Sequence, residues 1–334
     1  MSEINSLPWE ETGWHDEVHS WILAALAREK ISLSGKIKQE HIRPWSTVLT
    51  IPTDVGMLYF KAAAPSLHHE SVLTDKLALL APNFLPSLLA VDVEKSWLIM
   101  RSSGVPLRTY IKKENSLQRW KAVLRDYVMF QKRLVNHTEE LIALGAFDRR
   151  LSILPEKFAH LIQNKSEMLL DEEDSLTSAE YIRLKKLPSI FAEICEELSS
   201  FGIPESLHHD DFHDANVFIQ SGLPIFTDWG ESAITHPFFT LIVLLRGAEN
   251  SLNLDENSPE IKELRDYYLE NWHDFASSSD LEKAANLALK VGLVNRALTW
   301  QHVVSDMNSE SQKKYAIALP SYLKDFLYAM EHEK

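Results

Sequence analysis

Two short acidic segments near the middle of the chain carry residue types and spacings that suit chemistry on phosphate groups. Residues 209–216 read HDDFHDAN, and residues 228–230 read DWG, twelve positions after Asn216. Phosphoryl transfer from Mg-ATP requires three groups that these segments supply. They are the carboxylate of Asp211, an amide five residues later, and a second carboxylate that precedes an aromatic residue and a glycine. One carboxylate receives the proton of the attacking hydroxyl, while the amide and the second carboxylate hold the metal on the phosphates.

Each segment alone is weak evidence, because Asp, Asn and His are common in loops. Two short β-type runs, 216–219 and 224–227, flank a turn at residues 220–222 and place both acidic segments at strand ends. From average residue usage, the combined pattern arises by chance in roughly one chain in ten thousand. We therefore interpret the two segments as one functional site.

The elements that must position this site change character along the chain. Residues 14–26 carry apolar residues at helical spacing, whereas the pattern of residues 37–62 has a period of two. The two strands predicted there are joined by a hairpin turn at residues 52–56, and a helix follows from Ser66, its predicted N-cap. The predicted strands are 48–51, 57–60, 88–91 and 97–100.

After residue 104 the strand signals nearly vanish and helical apolar spacing dominates. We therefore predict the α+β fold class, with an N-terminal lobe at residues 1–102, a helical C-terminal lobe at residues 103–334 and a hinge near residues 101–104. The N-terminal lobe would hold a small antiparallel sheet interrupted by one helix, together with the first helix of the chain. The predicted helical stretches are 116–148, 151–170, 176–200 and most of 258–330.

The composition excludes several classes of protein. The chain has 334 residues, 34 of them basic and 48 acidic, and its net charge of −14 argues against a nucleic-acid partner. This acidity would suit a cationic small substrate, and solubility explains it equally well. Cys195 is the only cysteine, so no internal disulfide is expected. Because the apolar runs are too short to cross a bilayer and the first residues lack a secretion signal, we expect a cytoplasmic protein without a membrane partner.

The two segments lie within a longer stretch that resembles a known family. Residues 207–241 contain LHHDDFHDANVFI and IFTDWGESAITHPFFTL, which are similar to the aminoglycoside phosphotransferase pattern H-G-D-L-H-x-x-N followed by D-(F/W)-G and D-P. That family shares the protein-kinase-like fold and has choline, fructosamine and homoserine kinases as relatives. The resemblance extends from about Ile42 to Trp300 and is specific at residues 207–241. It implies ATP and Mg²⁺ as cofactors and a small molecule as the phosphate acceptor.

Carried over by position, the resemblance assigns the chemistry to four residues. Asp211 corresponds to the catalytic base, and Asn216 and Asp228 correspond to the Mg²⁺ ligands. His213, two residues after the base, occupies the position of a cationic contact to the γ-phosphate, so we predict a catalytic role for it as well. We expect His209 to be structural and to hold the segment through backbone hydrogen bonds.

The resemblance also points to nucleotide-binding residues in the N-terminal lobe. Lys61 corresponds to a strand lysine that pairs with the α- and β-phosphates, and Glu70 to its ion-pair partner on the next helix. The other interpretation of Lys61 is a solvated strand lysine. Residues Arg101 to Ser103 correspond to the linker whose backbone contacts adenine, with Met100 beside the ring.

The sequence departs from the family pattern at three places. It has no G-x-G-x-x-G phosphate loop, and residues 43–47, RPWST, join the first strands instead and would contact the phosphates. Asp210 replaces the family's glycine before the base, so the two carboxylates share cationic partners, the pKa of one of them rises, or Asp210 points away from the site. His236 and Thr240 stand where the family has acidic residues that brace the catalytic segment.

We therefore predict an ATP- and Mg²⁺-dependent kinase that moves the γ-phosphate to a hydroxyl of a small molecule, such as an aminoglycoside or another amine-bearing acceptor. The alternative is a divergent kinase-fold protein that binds nucleotide or regulates without transferring phosphate. A protein kinase is a further alternative, disfavoured because only seventeen residues separate Asp228 from the end of the helical run at Leu245. The acceptor, the choice of ATP or GTP and the oligomeric state stay open.

Overall fold

The computed structural model describes residues 7–332. The chain forms two compact units, each built from three segments of the sequence. The first unit contains the chain up to Val105, Phe218–Gly230 and Val303–Lys313; the second contains Pro106–Val217, Glu231–His302 and the chain from Lys314. The predicted lobes, 1–102 and 103–334, are continuous in sequence and stay a prediction. The segment that carries Asp228 belongs to the first unit, although both its flanks belong to the second.

A five-stranded antiparallel sheet lies in the first unit. Its strands are β1 Lys38–Ile42, β2 Ser46–Thr53, β3 Gly56–Ala63, β4 Leu88–Asp92 and β5 Trp97–Arg101. They are ordered β1-β2-β3-β5-β4, and every neighbouring pair is antiparallel. Gly56, with φ +108°, takes the left-handed conformation that closes the predicted hairpin between β2 and β3. The four predicted strands and the antiparallel sheet are confirmed.

Helix α1, Trp14–Arg28, packs on this sheet through aromatic side chains, as the spacing of its apolar residues predicts. Trp14 meets Phe60 of β3 and Trp97 of β5 edge to face, with ring centroids 6.1 and 6.4 Å apart. Edge-to-face pairs place the positive ring edge on the negative ring face, which adds to the burial of apolar surface. Four further core residues of this cluster come from α1 itself: Val18, Ile22, Ala25 and Leu26.

Helix α2, Glu70–Leu80, begins later than the sequence predicts. The prediction that Ser66 is its N-cap is wrong, because Ser66 lies inside a separate 3₁₀ turn, Pro65–Leu67. Pro65 fixes φ and cannot donate a backbone hydrogen bond, so it starts that turn. The helix then begins at Glu70, which puts this carboxylate in its first turn.

A second sheet carries the segment before Asp228. Its strands are β6 Val105–Pro106, β9 Val217–Gln220 and β10 Leu223–Phe226, in the order β10-β9-β6. Ser221 and Gly222 both have positive φ and close the hairpin between β9 and β10, within the turn predicted at residues 220–222. Gly104, just before β6, has φ +97°, and a Cβ atom there would lie 2.2 Å from the carbonyl oxygen of Ile219. Only glycine therefore fits position 104.

The second unit is mostly helical, as predicted. A small sheet lies beside residues 209–216, the candidate catalytic segment, called the catalytic segment below. The sheet contains β7 Phe147–Asp148, β8 Ser206–His208 and β11 Ala233–Thr235, with β11 parallel to β7 and antiparallel to β8. These strands have at most three residues, too few for a period of two to be read from the sequence. The helices of this unit are α3 Leu107–Glu114, α4 Gln118–Leu134, α5 Thr138–Ala143, α6 Leu154–Leu161, α7 Ser178–Leu184, α8 Pro188–Ser200, α9 Thr240–Leu252, α10 Pro259–Glu270, α11 Ser278–Val304 and α13 Ala318–Glu331. Helix α12, Ser309–Tyr315, begins in the first unit, which contains Val303–Lys313. Across residues 7–332, none of the helices combines the length and apolar character needed to cross a membrane.

Two glycine substitutions test the close approach at position 104. Gly222→Ala meets no atom within 4 Å, so it should lower the free energy of unfolding only by the cost of a left-handed alanine, about 1–2 kcal/mol. Gly104→Ala adds a clash with backbone, and we expect a total loss of about 3 kcal/mol or more. Urea unfolding followed by circular dichroism measures both values. Equal losses in the two variants would contradict the predicted clash.

Candidate active site

The catalytic segment of the second unit brings three predicted residues together. It follows β8 directly, and the Asn216 amide nitrogen donates to the carbonyl oxygen and the Oδ2 atom of Asp211 at 2.9 and 3.0 Å. The Nε2 atom of His213 lies 3.3 Å from Asp211 Oδ2. The backbone N–H of Ala215 donates to His213 Nδ1 at 3.1 Å, so Nε2 is the ring nitrogen that carries the proton toward Asp211. The side chain of Asp211 is therefore held from two sides.

The electrostatics of this pair keep Asp211 ionised. Burial alone would raise the pKa of Asp211, but the hydrogen bond and charge of His213 and the charge of Arg296 outweigh it and lower the pKa below its ordinary value. Burial alone would lower the pKa of His213, and the hydrogen bond and charge of Asp211 raise it above 6.5 instead. Asp211 is thus a carboxylate at neutral pH. Its weak basicity suits orienting a hydroxyl and receiving its proton late in a reaction.

Asp210, the residue in place of the family's glycine, points away from Asp211 into the helical interior. It has φ +64°, and its side chain is fully buried. Its carboxylate accepts hydrogen bonds from Asn295 Nδ2 at 2.9 Å and from the Thr299 hydroxyl, both on α11, and lies 3.0 Å from His208 Nε2. Of the three expected alternatives, the raised pKa is wrong, because the pKa values of Asp210 and Asp211 both lie below the ordinary value. Cationic partners also contribute, because Arg296 Nη1 lies 3.5 Å from the same carboxylate.

These contacts brace the catalytic segment without the family's acidic residues. The Thr240 hydroxyl lies 3.0 Å from His208 Nδ1, on the opposite side of the ring from Asp210. Arg296 Nη1 donates to the Asp210 carbonyl oxygen at 2.7 Å and to Glu231 Oε2 at 2.8 Å. Burial would raise the pKa of Asp210, but the charge of Arg296 and the His208 hydrogen bond lower it below its ordinary value. The brace is therefore ionic at neutral pH.

Sequence reasoning missed the residues of α11 that form this brace. Asn295, Arg296 and Thr299 follow Asp210 by 85, 86 and 89 positions, and no motif joins them to it. The one signal in the sequence is their spacing, since residues i, i+1 and i+4 place three polar side chains on adjoining parts of one helix face. All three are buried, among apolar neighbours such as Val294 and Ala297. Buried polar groups at such positions indicate a partner in the interior.

The first unit brings three other predicted residues together. Lys61 lies on β3 and is only 8% exposed, so the interpretation as a solvated lysine is not supported. Its Nζ atom donates to Glu70 Oε1 at 2.5 Å and to Asp228 Oδ1 at 2.6 Å. Burial would lower the pKa of Lys61, but the charges of Asp228 and Glu70 raise it well above its ordinary value. Burial raises the pKa of Glu70, although the Lys61 charge acts against that rise.

The chemistry of the predicted metal ligands fits a hard cation that keeps several waters. The Asp228 carboxylate is 40% exposed, and Lys61 binds one of its oxygens. Asn216 directs its amide nitrogen to Asp211, so its oxygen is the end suited to a cation. Mg²⁺ usually takes one or two carboxylates rather than a closed protein cage. Within residues 7–332, no group of three His, Cys, Asp or Glu side chains could hold a metal ion.

The predicted adenine-binding residues lie where the chain leaves the five-stranded sheet. Met100 is half-buried in β5, Arg101 is exposed at the end of β5, and Ser103 is buried just beyond it. The Ser102 carbonyl oxygen accepts a hydrogen bond from Gln220 Nε2 at 2.7 Å, which ties this stretch to the hairpin before Asp228. The backbone path fits the prediction, and the contacts to adenine stay a prediction.

Comparison with known proteins separates sequence similarity from similarity of fold. No protein-family model and no curated protein matches the sequence. Solved structures do match. The aminoglycoside phosphotransferase APH(2")-IIIa, in a complex with GDP and kanamycin, has a sequence identity of 11% to this chain and a TM-score of 0.61. The alignment covers 95% of this chain and 100% of that protein. The chain has the fold of the small-molecule kinases. Choline kinase from Cryptosporidium parvum is likewise 11% identical, with 93% and 95% coverage and a TM-score of 0.61.

Ethanolamine kinase from Plasmodium vivax is a third example of this kinase-like fold. It is 14% identical and covers 88% of this chain and 83% of its own, with a TM-score of 0.56. The resemblance inferred from residues 207–241 is thus confirmed at the level of fold, and with it the α+β class. At such low identity the shared fold does not carry a substrate with it.

The Asp210 brace predicts a large loss of stability on its removal. Asp210→Ala removes the buried acceptor of the Asn295 amide and the Thr299 hydroxyl and one of the two carboxylates that pair with Arg296, so the free energy of unfolding should fall by about 3–5 kcal/mol. The control is Asp274→Ala, which removes an exposed carboxylate 2.6 Å from Lys132 and should change stability by less than about 1 kcal/mol. Urea unfolding at pH 7 measures both. Similar losses in the two variants would show that Asp210 is not a brace.

Buried His236 predicts a dependence of stability on pH. Burial, followed by the nearby His208, lowers the pKa of His236 from 6.5 to about 3. The unfolded chain therefore binds a proton below pH 6.5 that the folded chain does not, and stability falls with pH between about 6.5 and 3 at up to about 1.4 kcal/mol per pH unit. His236→Asn keeps an acceptor for the Phe238 N–H and removes this group. Its unfolding free energy should fall less between pH 7 and 5 than that of the native protein; parallel curves would contradict the assignment.

Proposed function

We propose that the protein transfers the γ-phosphoryl group of Mg-ATP to a hydroxyl group of a small molecule. The observation that carries the proposal is that the buried Lys61 ammonium group donates to two carboxylates, Glu70 and Asp228. Asp228 follows Lys61 by 167 positions. A buried lysine between two carboxylates is unfavourable unless every partner is in place. The catalytic segment supports the same proposal, since it brings Asp211, His213 and Asn216 together.

In the proposed reaction, the acceptor hydroxyl donates a hydrogen bond to the Asp211 carboxylate. The hydroxyl oxygen of the acceptor attacks the γ-phosphorus of ATP. The bond between that phosphorus and the bridging oxygen breaks, and its electron pair leaves with ADP. The hydroxyl proton passes to Asp211. Because the Asp211 pKa is low, the transfer completes only as the new phosphorus–oxygen bond forms.

Other residues would bind and orient the nucleotide. The Lys61 ammonium has three N–H donors, and Glu70 and Asp228 take two, so the third can contact an α- or β-phosphate oxygen. Asn216 and Asp228 would hold Mg²⁺, which neutralises phosphate charge when bound. His213 would contact the γ-phosphate, and Met100 to Ser103 would bind adenine, as the resemblance implies.

The alternative function is nucleotide binding without transfer. Its grounds are the missing glycine-rich loop and two residues that depart from the family pattern, Asp210 and Thr240. Both residues belong to the brace, and neither displaces the carboxylate of Asp211. The departures therefore change how the catalytic segment is held and leave the reacting groups intact, which favours a working enzyme.

Several finer expectations stay predictions. An amine-bearing acceptor, including an aminoglycoside, was suggested by the net charge of −14, which is spread over the whole chain. A cytoplasmic location and the absence of nucleic-acid and membrane partners also stay predictions. ATP and GTP both have the phosphates that Lys61 would contact, so the choice between them requires an assay with each nucleotide.

Replacing the proposed base tests the function directly. Asp211→Asn keeps the size of the side chain and removes the proton acceptor, so kcat should fall by about 10²–10⁴-fold while Mg-ATP binding persists. The assay measures ADP release and phosphorylated product with Mg-ATP or Mg-GTP and a panel of alcohols. Native turnover in Asp211→Asn would refute the role of Asp211. Nucleotide binding without product from the native protein across the whole panel would favour the alternative function.

A further inference from the structure

A cavity in the second unit opens next to the proposed base. It has a volume of about 380 Å³, and Asp211 and His213 form part of its wall. The rest of the wall comes from α3, α9, α11 and α13. The remaining lining residues are Arg108, Lys112, Val243, Arg246, Gly247, Asn250, Ser251, Arg296 and Tyr322. An acceptor whose hydroxyl reaches Asp211 would lie in this cavity.

The charge of the cavity wall is opposite to the charge of the chain. The whole sequence has 48 acidic and 34 basic residues, yet the wall has four basic side chains and Asp211 as its single carboxylate. A wall drawn at random from this chain would be acidic. The excess of cations is therefore a local feature of this cavity, and it points to a ligand with negative charge.

The carboxylates that pair with two of these cations do not line the cavity. Arg108 Nε donates to Asp214 Oδ1 at 2.9 Å, and the Asp214 carboxylate is fully buried. Ser251 Oγ donates to Asp214 Oδ2 at 2.5 Å, so the carboxylate is fixed in place. Arg296 is held in the same way by Asp210 and Glu231. These contacts orient the guanidinium groups from behind, away from the cavity.

The other two cations have weaker partners. The Lys112 ammonium forms no ion pair with any residue between 7 and 332. Arg246 lies 3.4 Å from Asp325, and both side chains are about half exposed, so water screens this pair strongly. Lys112 follows Arg108 by one helical turn on α3, which puts both on the same helix face.

The ring of Tyr322 contacts two of the four cations in the cavity wall. The centroid of the Tyr322 ring lies 5.4 Å from the Arg246 guanidinium and 5.6 Å from the Arg296 guanidinium. Cation–π contacts of this kind restrict the planar guanidinium, which then needs less ordering when an anion binds. The wall is thus prepared for a negative group before any ligand enters.

We infer that the acceptor is an alcohol that also carries an anionic group, a carboxylate or a phosphate, and that Lys112 and Arg246 bind this group while the hydroxyl faces Asp211. This inference rests on the proposed phosphoryl transfer. An ammonium group in the same place would meet four cations and the one carboxylate that the reaction requires. The cavity therefore selects against the amine-bearing acceptors suggested by the net charge.

Matched ligands test the sign of the preferred charge. D-glucuronate, D-glucose 6-phosphate, D-glucose and D-glucosamine share one skeleton, as do glycerate, glycerol 3-phosphate, glycerol and 2-amino-1,3-propanediol. Isothermal titration calorimetry with Mg-ADP present should show at least tenfold tighter binding of an anionic member than of its neutral and amine counterparts. The carboxylate and phosphate arms identify which anion is preferred. Equal binding across charges, tighter amine binding or no binding of any anionic member would overturn the inference.

Variants on the exposed face of α3 provide the matched control. Lys112→Gln should weaken binding of the preferred anion about tenfold and raise its KM with little change in kcat, and Lys112→Glu should abolish the preference. Lys113→Gln removes the adjacent exposed lysine, which does not line the cavity, and should leave both constants unchanged. If Lys112→Gln instead weakens Mg-ATP binding as much as acceptor binding, the cations serve the nucleotide and the inference fails.

A phosphorylation assay with the same ligands separates this inference from the proposed function. Product from anionic alcohols alone supports both. Product from amine-bearing alcohols alone supports the transfer and overturns the inference. Tight, Lys112-dependent binding of anionic ligands without any product refutes the transfer and leaves the cavity as a site for anionic alcohols.

Discussion

The geometry of the catalytic segment depends on one buried ionic interaction, between the Asp210 carboxylate and α11. A left-handed backbone at Asp210 turns its side chain into the interior, where Asn295, Arg296 and Thr299 satisfy it. The next residue, Asp211, lies in the cavity wall. A charge in this interior is tolerated only with its partners present, which makes the position of the segment strongly determined.

Arg296 connects this brace to the cavity, because it contacts Asp210 and Glu231 and also forms part of the cavity wall. Its charge contributes to the low pKa of Asp211 as well. The solved structures of the same fold include enzymes named for ethanolamine and choline and one complex with kanamycin, so the fold accommodates different acceptors. In the proposed function, the side chains around Asp211 would therefore distinguish one acceptor from another.

The sequence predicted the parts of the molecule that depend on local order. Periodicity located α1 and four strands of the sheet, and the spacing of Asp211, Asn216 and Asp228 marked the segments that the structure holds in place. The brace and the cationic wall were not predictable, because their residues are distant in sequence and no spacing rule joins them. Ser66 failed as an N-cap for a local reason, the proline before it. Net charge leaves the acceptor class open, since a sum of charges over the chain says nothing about which side chains face one cavity.

The residues that form the cavity wall are synthesised at different times, and Tyr322, whose ring contacts Arg246 and Arg296, is the last of them. Arg108, which lines the same cavity, is synthesised near the start of the second unit, whereas Tyr322 belongs to α13, near its end. A nascent chain or a proteolytic fragment that stops before α13 carries Asp211 and every proposed nucleotide ligand but lacks one side of the cavity wall. In the proposed function, the residues that would bind nucleotide are therefore all synthesised before the cavity wall is complete.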